Sequence, residues 1–480
     1  MFFKMKLRNY FVFIVISVIY IFYNYLGIAF TGGDDPFISL SYLNNNGIFN
    51  SSIKQSIGQG RFYYIVPWSL TQLSYYFGFE VASYIKITTS FILLFVYFKL
   101  IKKIFGTNFA VLNFLITLLF FDWWGGDFNI MHNSPLWYSL GTIFLILSFI
   151  NFLNESYSNS KYFPITTIFF SLSLLFYEIF ILFSIVYPIW FFIKEGYSFN
   201  LKSFARILST FRFILFVCLL YIVIYILFRY FYPSQYEGNQ SLYFGDLSNT
   251  LFTIIRMTII GIGFKYWHTF TYITILKSII LSAIISYSTF LYLKKVNQIH
   301  FFETKNIIIF ILCAILPNIL IGFSKKYHVW YGPYVGSSIS ALFLIPCITL
   351  MVNSLNLKFK KFKLFFLVTS FAISSFILMN FIHKFEGFKL DKVKIEALSV
   401  YLNNIELNPI NENIIFIEKD LLSSNSYYIY NYLDTFFSSS FNKKIVFKED
   451  KIENVLLNKE KDNFSYSIKF DLVNKSFINK

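Results

Sequence analysis

Two adjacent acids, Asp34 and Asp35 in TGGDDPF, are the first residues of the chain suited to acid–base chemistry. Neighbouring carboxylates repel, which raises the pKa of one of them and fits it to take a proton. The same segment is also good turn chemistry, with Asp able to cap a following helix. Glu178 stands between two apolar stretches, where an acid marks either a functional site or a residue satisfied by a buried partner such as Arg61 or a lysine. Lys325, Lys326, Tyr327 and His328 in SKKYHVWYGPY gather donors and positive charge in one short segment. That set suits phosphate oxygens, and headgroup snorkelling accounts for it as well. Asp122, Asp127 and His132 in DWWGGDFNIMHN could hold a divalent cation such as Mg or Mn, although the spacing is not of the zinc type.

The elements that must position these residues are membrane helices. The 480 residues are 56% hydrophobic and only 14% charged, with a mean hydropathy of +0.58, more apolar surface than a soluble domain of this size could cover. Several uncharged runs reach the roughly 20 residues that cross a hydrocarbon core of about 30 Å. The net charge of +16 comes from short lysine clusters beside apolar runs, which argues for membrane topology and against nucleic acid as a partner. Cys218, Cys313 and Cys347 all fall within apolar runs and read as small packing residues. The first 30 residues have a basic start and an apolar stretch too long for an ordinary cleaved signal, so they read as the first span.

Spans are expected near 9–30, 84–104, 108–124, 134–153, 163–177, 179–193, 211–232, 270–293, 306–322, 336–354 and 364–382. This arrangement of about eleven helices puts Lys4/Lys6/Arg8, Lys99/Lys102/Lys103, Lys194/Lys202/Arg206, Lys294/Lys295/Lys305 and Lys358/Lys360/Lys361/Lys363 all on the cytoplasmic side. Residues 162–194 decide the parity. Folded back at Tyr177-Glu178 as two short helices, they keep the later clusters inside. The fold-back also lifts Glu178 from the membrane centre, where a charge costs about 2.5–3.5 kcal/mol. The objection is length, since a helix of about 15 residues rises only about 22 Å. Residues 249–264 carry Arg256 and read as an interfacial or re-entrant helix, with a true span as the alternative.

Beyond about Ile382 the acids and lysines become frequent and balanced. NIIFIE and KKIVF read as strands, KVKIEALSVYLNNI and SYYIYNYLDTFF as helices. The expected architecture is therefore an all-α polytopic membrane domain, 1–382, holding the extracytoplasmic loop 31–80, followed by a small extracytoplasmic α/β domain, 383–480.

An acidic pair just after the first span, Gly-Arg at 60–61, Tyr-Glu at 177–178 in a short hairpin, a late Lys-Tyr loop at 326–327 and an external tail together resemble the GT-C superfamily of polytopic glycosyltransferases. The resemblance covers nearly the whole chain and is one of layout. It implies transfer of a sugar from a polyprenyl-phosphate donor to a cell-envelope glycan or lipid acceptor, on the outer face of a bacterial cytoplasmic (inner) membrane. It implies Asp34 or Asp35 as the base, Arg61, Lys326 and His328 as ligands of the donor phosphate, and Glu178 as part of the acceptor or metal site. The amino terminus is then cytoplasmic and the carboxyl terminus extracytoplasmic. Nothing in the sequence matches a Rossmann fingerprint or a P-loop. Departing from the family pattern are the Asp35-to-Arg61 spacing and the weak second acidic motif, Asp122/Asp127. An O-antigen-type polymerase would show Arg-rich outer loops. A transporter or flippase of a lipid-linked or small polar substrate would put ionisable residues at mid-membrane, a role for which Arg212, Arg256 and Lys277 are the candidates.

Overall fold

The computed structural model describes residues 15, 18–26, 28, 38, 41, 47–123, 129–131, 136–157, 163–195, 201–235, 245–262, 270–295, 304–329, 334–359, 361–405, 413–417, 437–438, 443, 445–449, 465–471 and 476–479. Asp34, Asp35, Asp127 and His132 lie outside the described residues.

The chain is an integral membrane protein. Its helices are α1 (Ile48–Gln59), α2 (Ile65–Tyr76), α3 (Phe79–Phe105), α4 (Thr107–Phe120), α5 (Tyr138–Tyr157), α6 (Pro164–Leu174), α7 (Val186–Glu195), α8 (Leu201–Thr210), α9 (Arg212–Phe231), α10 (Leu247–Ile259), α11 (Tyr272–Lys295), α12 (Thr304–Gly322), α13 (Lys325–Val329), α14 (Val335–Lys358) and α15 (Phe362–Asn404). Among the described residues six helices, α3, α5, α9, α11, α14 and α15, are long and apolar enough to cross a membrane, and α4, α6 and the apolar part of α12 are shorter.

Hydrocarbon offers no water to a stray polar atom, so polar side chains between spans must satisfy one another. The Tyr97 hydroxyl of α3 donates to the Leu342 carbonyl of α14 (2.7 Å) and accepts from Asn113 Nδ2 of α4 (2.9 Å). Thr349 of α14 then donates to Asn113 Oδ1 (3.1 Å), which joins three helices through one closed network.

The helices give the molecule two chemically different ends. At one, Lys103 bonds Asn154, Tyr292 donates to the Asn108 carbonyl (2.9 Å), and Asn356 donates to the Leu293 carbonyl (3.4 Å). Phe163 stacks on Phe211 there, at 5.2 Å and 4°, and meets Phe191 at 6.2 Å. The exposed cations Lys99, Lys102, Lys103, Lys194, Arg206, Arg212, Lys294, Lys358 and Lys361 belong to these helix ends. At the other end Trp137 Nε1 donates to the Phe176 carbonyl (2.9 Å), Gln235 N to the Gly58 carbonyl (3.0 Å), and Asp122 N to the Gly261 carbonyl (3.2 Å).

Residues 163–195 fold back on themselves. Phe170 packs on Tyr187 at 5.6 Å, Phe163 meets Phe191, and Phe176 and Phe180, on either side of the bend, both crowd Gly141. Pro164 occupies the first turn of α6, where its missing N–H costs nothing. Both Glu155 carboxylate oxygens accept from that turn, from Ile165 N (2.9 Å) and Thr166 N (3.1 Å). The return limb opens with a 3₁₀ segment, Glu178–Ile185. A 3₁₀ helix rises about 2.0 Å per residue, so this segment and α7 together reach about 31 Å, long enough for the return limb, whereas α6 with its 11 residues rises only about 16 Å.

The loop 31–80 and α15 depart from expectation, while α10 falls in the segment read as interfacial or re-entrant. The loop 31–80 holds two helices, α1 and α2, which no clean apolar period announces. α10 is too short to span, and its partners all belong to the second end, with Thr258 meeting Asn318 (3.1 Å) and Gly261 lying against Ser337. α15 does not stop near 382 but runs 43 residues, to Asn404, about 64 Å and roughly twice a hydrocarbon core. It continues because the change at 382 is one of polarity and not of helix propensity. Where it passes the helix ends, Glu386 accepts from Lys277 (2.6 Å) and Thr274 (2.7 Å), and Lys392 pairs with Glu80 (3.3 Å).

Four strands, β1 (Asn413–Ile417), β2 (Ile445–Glu449), β3 (Ser465–Asp471) and β4 (Ser476–Asn479), form one sheet in the order β2-β1-β3-β4. β1 is parallel to β2 and β3, and β4 is antiparallel to β3.

Single cysteines placed in a variant whose three natural cysteines are replaced should report the two ends. Lys326→Cys and Gln235→Cys should react with an impermeant maleimide from one side of sealed vesicles, Lys102→Cys and Lys361→Cys only from the other. Labelling of all four from one side would contradict the arrangement.

Candidate functional site

Arg61 and Glu178, 117 positions apart in the sequence, meet in an ion pair of 2.7 Å with side chains only 9% and 15% exposed. The local sequence of each explains how. Gly60 ends α1 in the left-handed region, φ +64°, a conformation that costs glycine little. A Cβ there would stand 2.8 Å from the Tyr232 carbonyl oxygen and 3.0 Å from Ser234 N, at the exit of α9. This one glycine both turns the chain and lets it touch the neighbouring backbone. Ser56 and the backbone hold the turn, Ser56 Oγ donating to the Arg61 carbonyl (2.7 Å) and Arg61 N to the Ser56 carbonyl (3.0 Å). Glu178 is delivered from the other side by the hairpin apex, as the first residue of the 3₁₀ segment after an extended Tyr177.

The guanidinium also donates from Nη1 to the Tyr64 hydroxyl and lies 5.2 Å from that ring's centre. Burial lifts the Glu178 carboxyl above the ordinary range, and the Arg61 charge opposes the lift. Arg229 on α9 is near enough to act on Glu178 in the same direction as Arg61. One carboxylate oxygen, Glu178 Oε2, has no hydrogen-bond partner among the described residues.

Tyrosines surround the pair. The Tyr334 side chain lies within electrostatic reach of Arg61, Tyr64, Tyr177 and Tyr327, and its ring is 4.9 Å from that of Tyr327. Tyr327 is fixed in turn by Arg256, whose Nη2 donates to its carbonyl (2.7 Å). Lys325 and Lys326, in the same short helix, are exposed, and His328 Nε2 is 2.8 Å from the Gly322 carbonyl oxygen. Tyr138 meets Tyr177 at 5.5 Å, and Trp137 meets Tyr64 at 5.0 Å.

The structure therefore brings together Arg61 and Glu178 in direct contact, with the 325–328 segment joined to them through Tyr327 and Tyr334. Asp122 is buried on the same end. Its backbone N–H bonds the Gly261 carbonyl (3.2 Å), its carbonyl accepts from Asn129 (2.8 Å), and it lies within electrostatic reach of Tyr25. Among the described residues no group of three or more His, Cys, Asp or Glu side chains is placed to hold a metal. Tyr64, Tyr221 and Tyr334 carried no signal in the sequence, and Tyr177 entered only through the Tyr-Glu pair at 177–178. Among 36 tyrosines, only adjacency to Glu178 could have singled out Tyr177. Arg212, Arg256 and Lys277, the candidates for mid-membrane charge, all sit at helix ends: Arg212 opens α9, Arg256 closes α10, and Lys277 pairs with Glu386.

The sequence matches no protein family model and no curated protein. Among solved structures the chain is similar to ArnT from Cupriavidus metallidurans bound to undecaprenyl phosphate, with 12% identity over 97% of this chain and 93% of that one, at a TM-score of 0.45. ArnT in the apo state aligns with 11% identity over 95% and 92%, at 0.43. An Archaeoglobus fulgidus oligosaccharyltransferase tethered to an acceptor peptide aligns with 12% identity over 96% of this chain and 69% of that one, at 0.41.

Gly60→Ala should lower the midpoint of thermal unfolding in detergent. The added methyl meets backbone on both sides at a left-handed position, a cost of about 1–3 kcal/mol. Gly58→Ala, inside α1 with nothing within 4 Å of its Cβ, should cost less. Equal losses would show that the approach of α9 to Gly60 is not tight.

Proposed function

We propose that the protein is a GT-C-type glycosyltransferase that moves a sugar from a polyprenyl-phosphate donor to a cell-envelope acceptor. The observation that carries this reading is the buried Arg61–Glu178 pair at the hairpin apex. It lies at the helix end opposite the clusters Lys99/Lys102/Lys103, Lys194/Arg206, Lys294 and Lys358/Lys361, which is the outer end by the charge rule although Lys325 and Lys326 share it, with eleven crossings as the topology. Chemistry at that surface meets a lipid carrier where its phosphate leaves the hydrocarbon.

In this reaction an acceptor hydroxyl gives its proton to the carboxylate of Asp34 or Asp35. The acceptor oxygen bonds the anomeric carbon as the carbon–oxygen bond to phosphate breaks, and the polyprenyl phosphate leaves with the bonding pair. The protein supplies the base, positioning and charge stabilisation. Arg61 is already committed to Glu178 and Tyr64, so Glu178 acts by holding Arg61 in place. The exposed Lys326, beside His328, carries most of the attraction for the leaving phosphate. A divalent ion, if used, would draw on Asp122 together with Asp127 and His132.

The test is turnover in lipid nanodiscs with radiolabelled polyprenyl-phosphate sugars and envelope acceptors. Wild type should release polyprenyl phosphate. Removing the base should cost about 10²–10⁴-fold, in Asp34→Asn or Asp35→Asn, and Lys326→Gln should raise KM more than it lowers kcat. Undiminished turnover in the double Asp variant would end the assignment of the base. No release with any donor would end the reading.

A further inference from the structure

Among the buried polar atoms around the Arg61–Glu178 pair that have no hydrogen-bond partner among the described residues are the Tyr63 hydroxyl, the Tyr221 hydroxyl and Glu178 Oε2. Tyr63 is 1% and Tyr221 8% exposed. A buried hydroxyl without a partner costs about 1–3 kcal/mol, and three such atoms in one place ask for something that satisfies them.

They belong to one neighbourhood. Tyr63 lies in the 3₁₀ turn that follows Arg61, its ring 5.2 Å from Tyr64 and 6.5 Å from Tyr221. Tyr221 on α9 is within electrostatic reach of both Glu178 and Arg61. Tyr225, one turn on, stacks with Tyr221 at 17° and accepts from Arg229 Nη1 (3.0 Å). Phe62 closes the wall at 5.2 Å from Tyr221. α9 is the helix whose other faces, with Phe216, Leu219 and Leu227, are exposed and apolar, so the group of residues lies on the bilayer-facing side of Arg61.

The character of the three atoms decides the ligand class. Because Arg61 is matched by Glu178, the pair is close to neutral. Beside Arg61 Nε, which only donates, what is left over is one carboxylate oxygen, which only accepts, and two hydroxyls, which donate and accept. A phosphate would bring its oxygens against the carboxylate. A neutral ring carrying several hydroxyls would give an O–H to Glu178 Oε2 and take hydrogen bonds from the tyrosines, with flat aromatic faces beside it.

We propose that Tyr63, Tyr221 and Glu178 Oε2 form a subsite for the hydroxyls of a hexosyl group, reached from the bilayer side past α9. The subsite deepens the glycosyltransferase reading and rests on it, the hexose being the part of the donor that is transferred. Phosphate recognition then belongs elsewhere, toward Lys326.

Binding separates the two levels. Purified protein in nanodiscs is titrated with bare polyprenyl phosphate and with a panel of the same lipid carrying glucose, mannose or galactose, for wild type and for Tyr63→Phe, Tyr221→Phe and the double variant. Wild type should bind at least one hexosyl lipid about tenfold more tightly than the bare lipid, the scale expected of hydroxyl recognition. In the double variant that preference should fall to near unity while bare-lipid affinity changes less than about twofold. Its thermal midpoint should hold or rise, since each deleted hydroxyl had no partner to lose. A preference kept intact in the double variant would overturn the subsite and leave the transferase reading standing, as would equal weakening of all lipids with a lowered midpoint. Wild type binding no polyprenyl lipid would overturn both.

Discussion

One ion pair in a dry place organises this end of the molecule. Either charge alone, buried among tyrosines and tryptophans, would cost several kcal/mol. Together, Arg61 and Glu178 close at 2.7 Å, and the attraction is strong because little water screens it. A buried pair of this kind adds little net stability over an apolar one. What it fixes is register: the turn after α1 must meet the hairpin apex, and only one depth of the hairpin allows that. Tyr177 follows because it is the neighbour of Glu178, Tyr334 because it lies within reach of Tyr177 and Arg61, and Tyr327 because its ring packs against Tyr334. The first loop, the fold-back and the segment between α12 and α14 are thus held together by a chain of contacts that begins with the pair.

The rest of the fold serves to bring those segments to one surface. The closed network through Tyr97, Asn113, Leu342 and Thr349 sets α3, α4 and α14 against one another. Gly336 lets the start of α14 touch α12, since a Cβ there would be 2.4 Å from Asn318 Oδ1 and 3.0 Å from the Pro317 carbonyl. Gly261 does the same for α10, with Ser337 O only 2.1 Å from where its Cβ would be. These close approaches bring the start of α14, and with it Tyr334, to the surface where the fold-back ends. α15 leaves this surface clamped by Glu386 to α11 and by Lys392 to α3.

Much of this was legible in the residues, and the limits have physical causes. Membrane class follows from apolar runs, and the shared end of the lysine clusters follows from the cost of burying them. The fold-back at 177–178 was readable because a charge at mid-membrane is expensive. Arg61 as the partner of Glu178 was one of two readings that the sequence left open. The 3₁₀ form of the return limb was not readable, since EIFILFSI is apolar all round and its rise depends on what it packs against. α1 and α2 were hidden because their mixed serines, glutamines and aromatics show no single helical face. The end of the last span was misplaced because polarity changes at 382 while the helix does not. The tyrosines were passed over because their role lies in side chains from separate elements gathering around one ion pair, and no spacing along the chain records that.

The arrangement of the site depends on the coupling between Arg61 and Glu178. A double-mutant cycle of unfolding in detergent, with Arg61→Leu, Glu178→Leu and both together, measures it directly. Each single change should cost about 3–5 kcal/mol by leaving one buried charge alone, and the double variant should recover most of that loss. Losses that simply add, to within about 0.5 kcal/mol, would mean that the two side chains do not meet and would remove the foundation of the site.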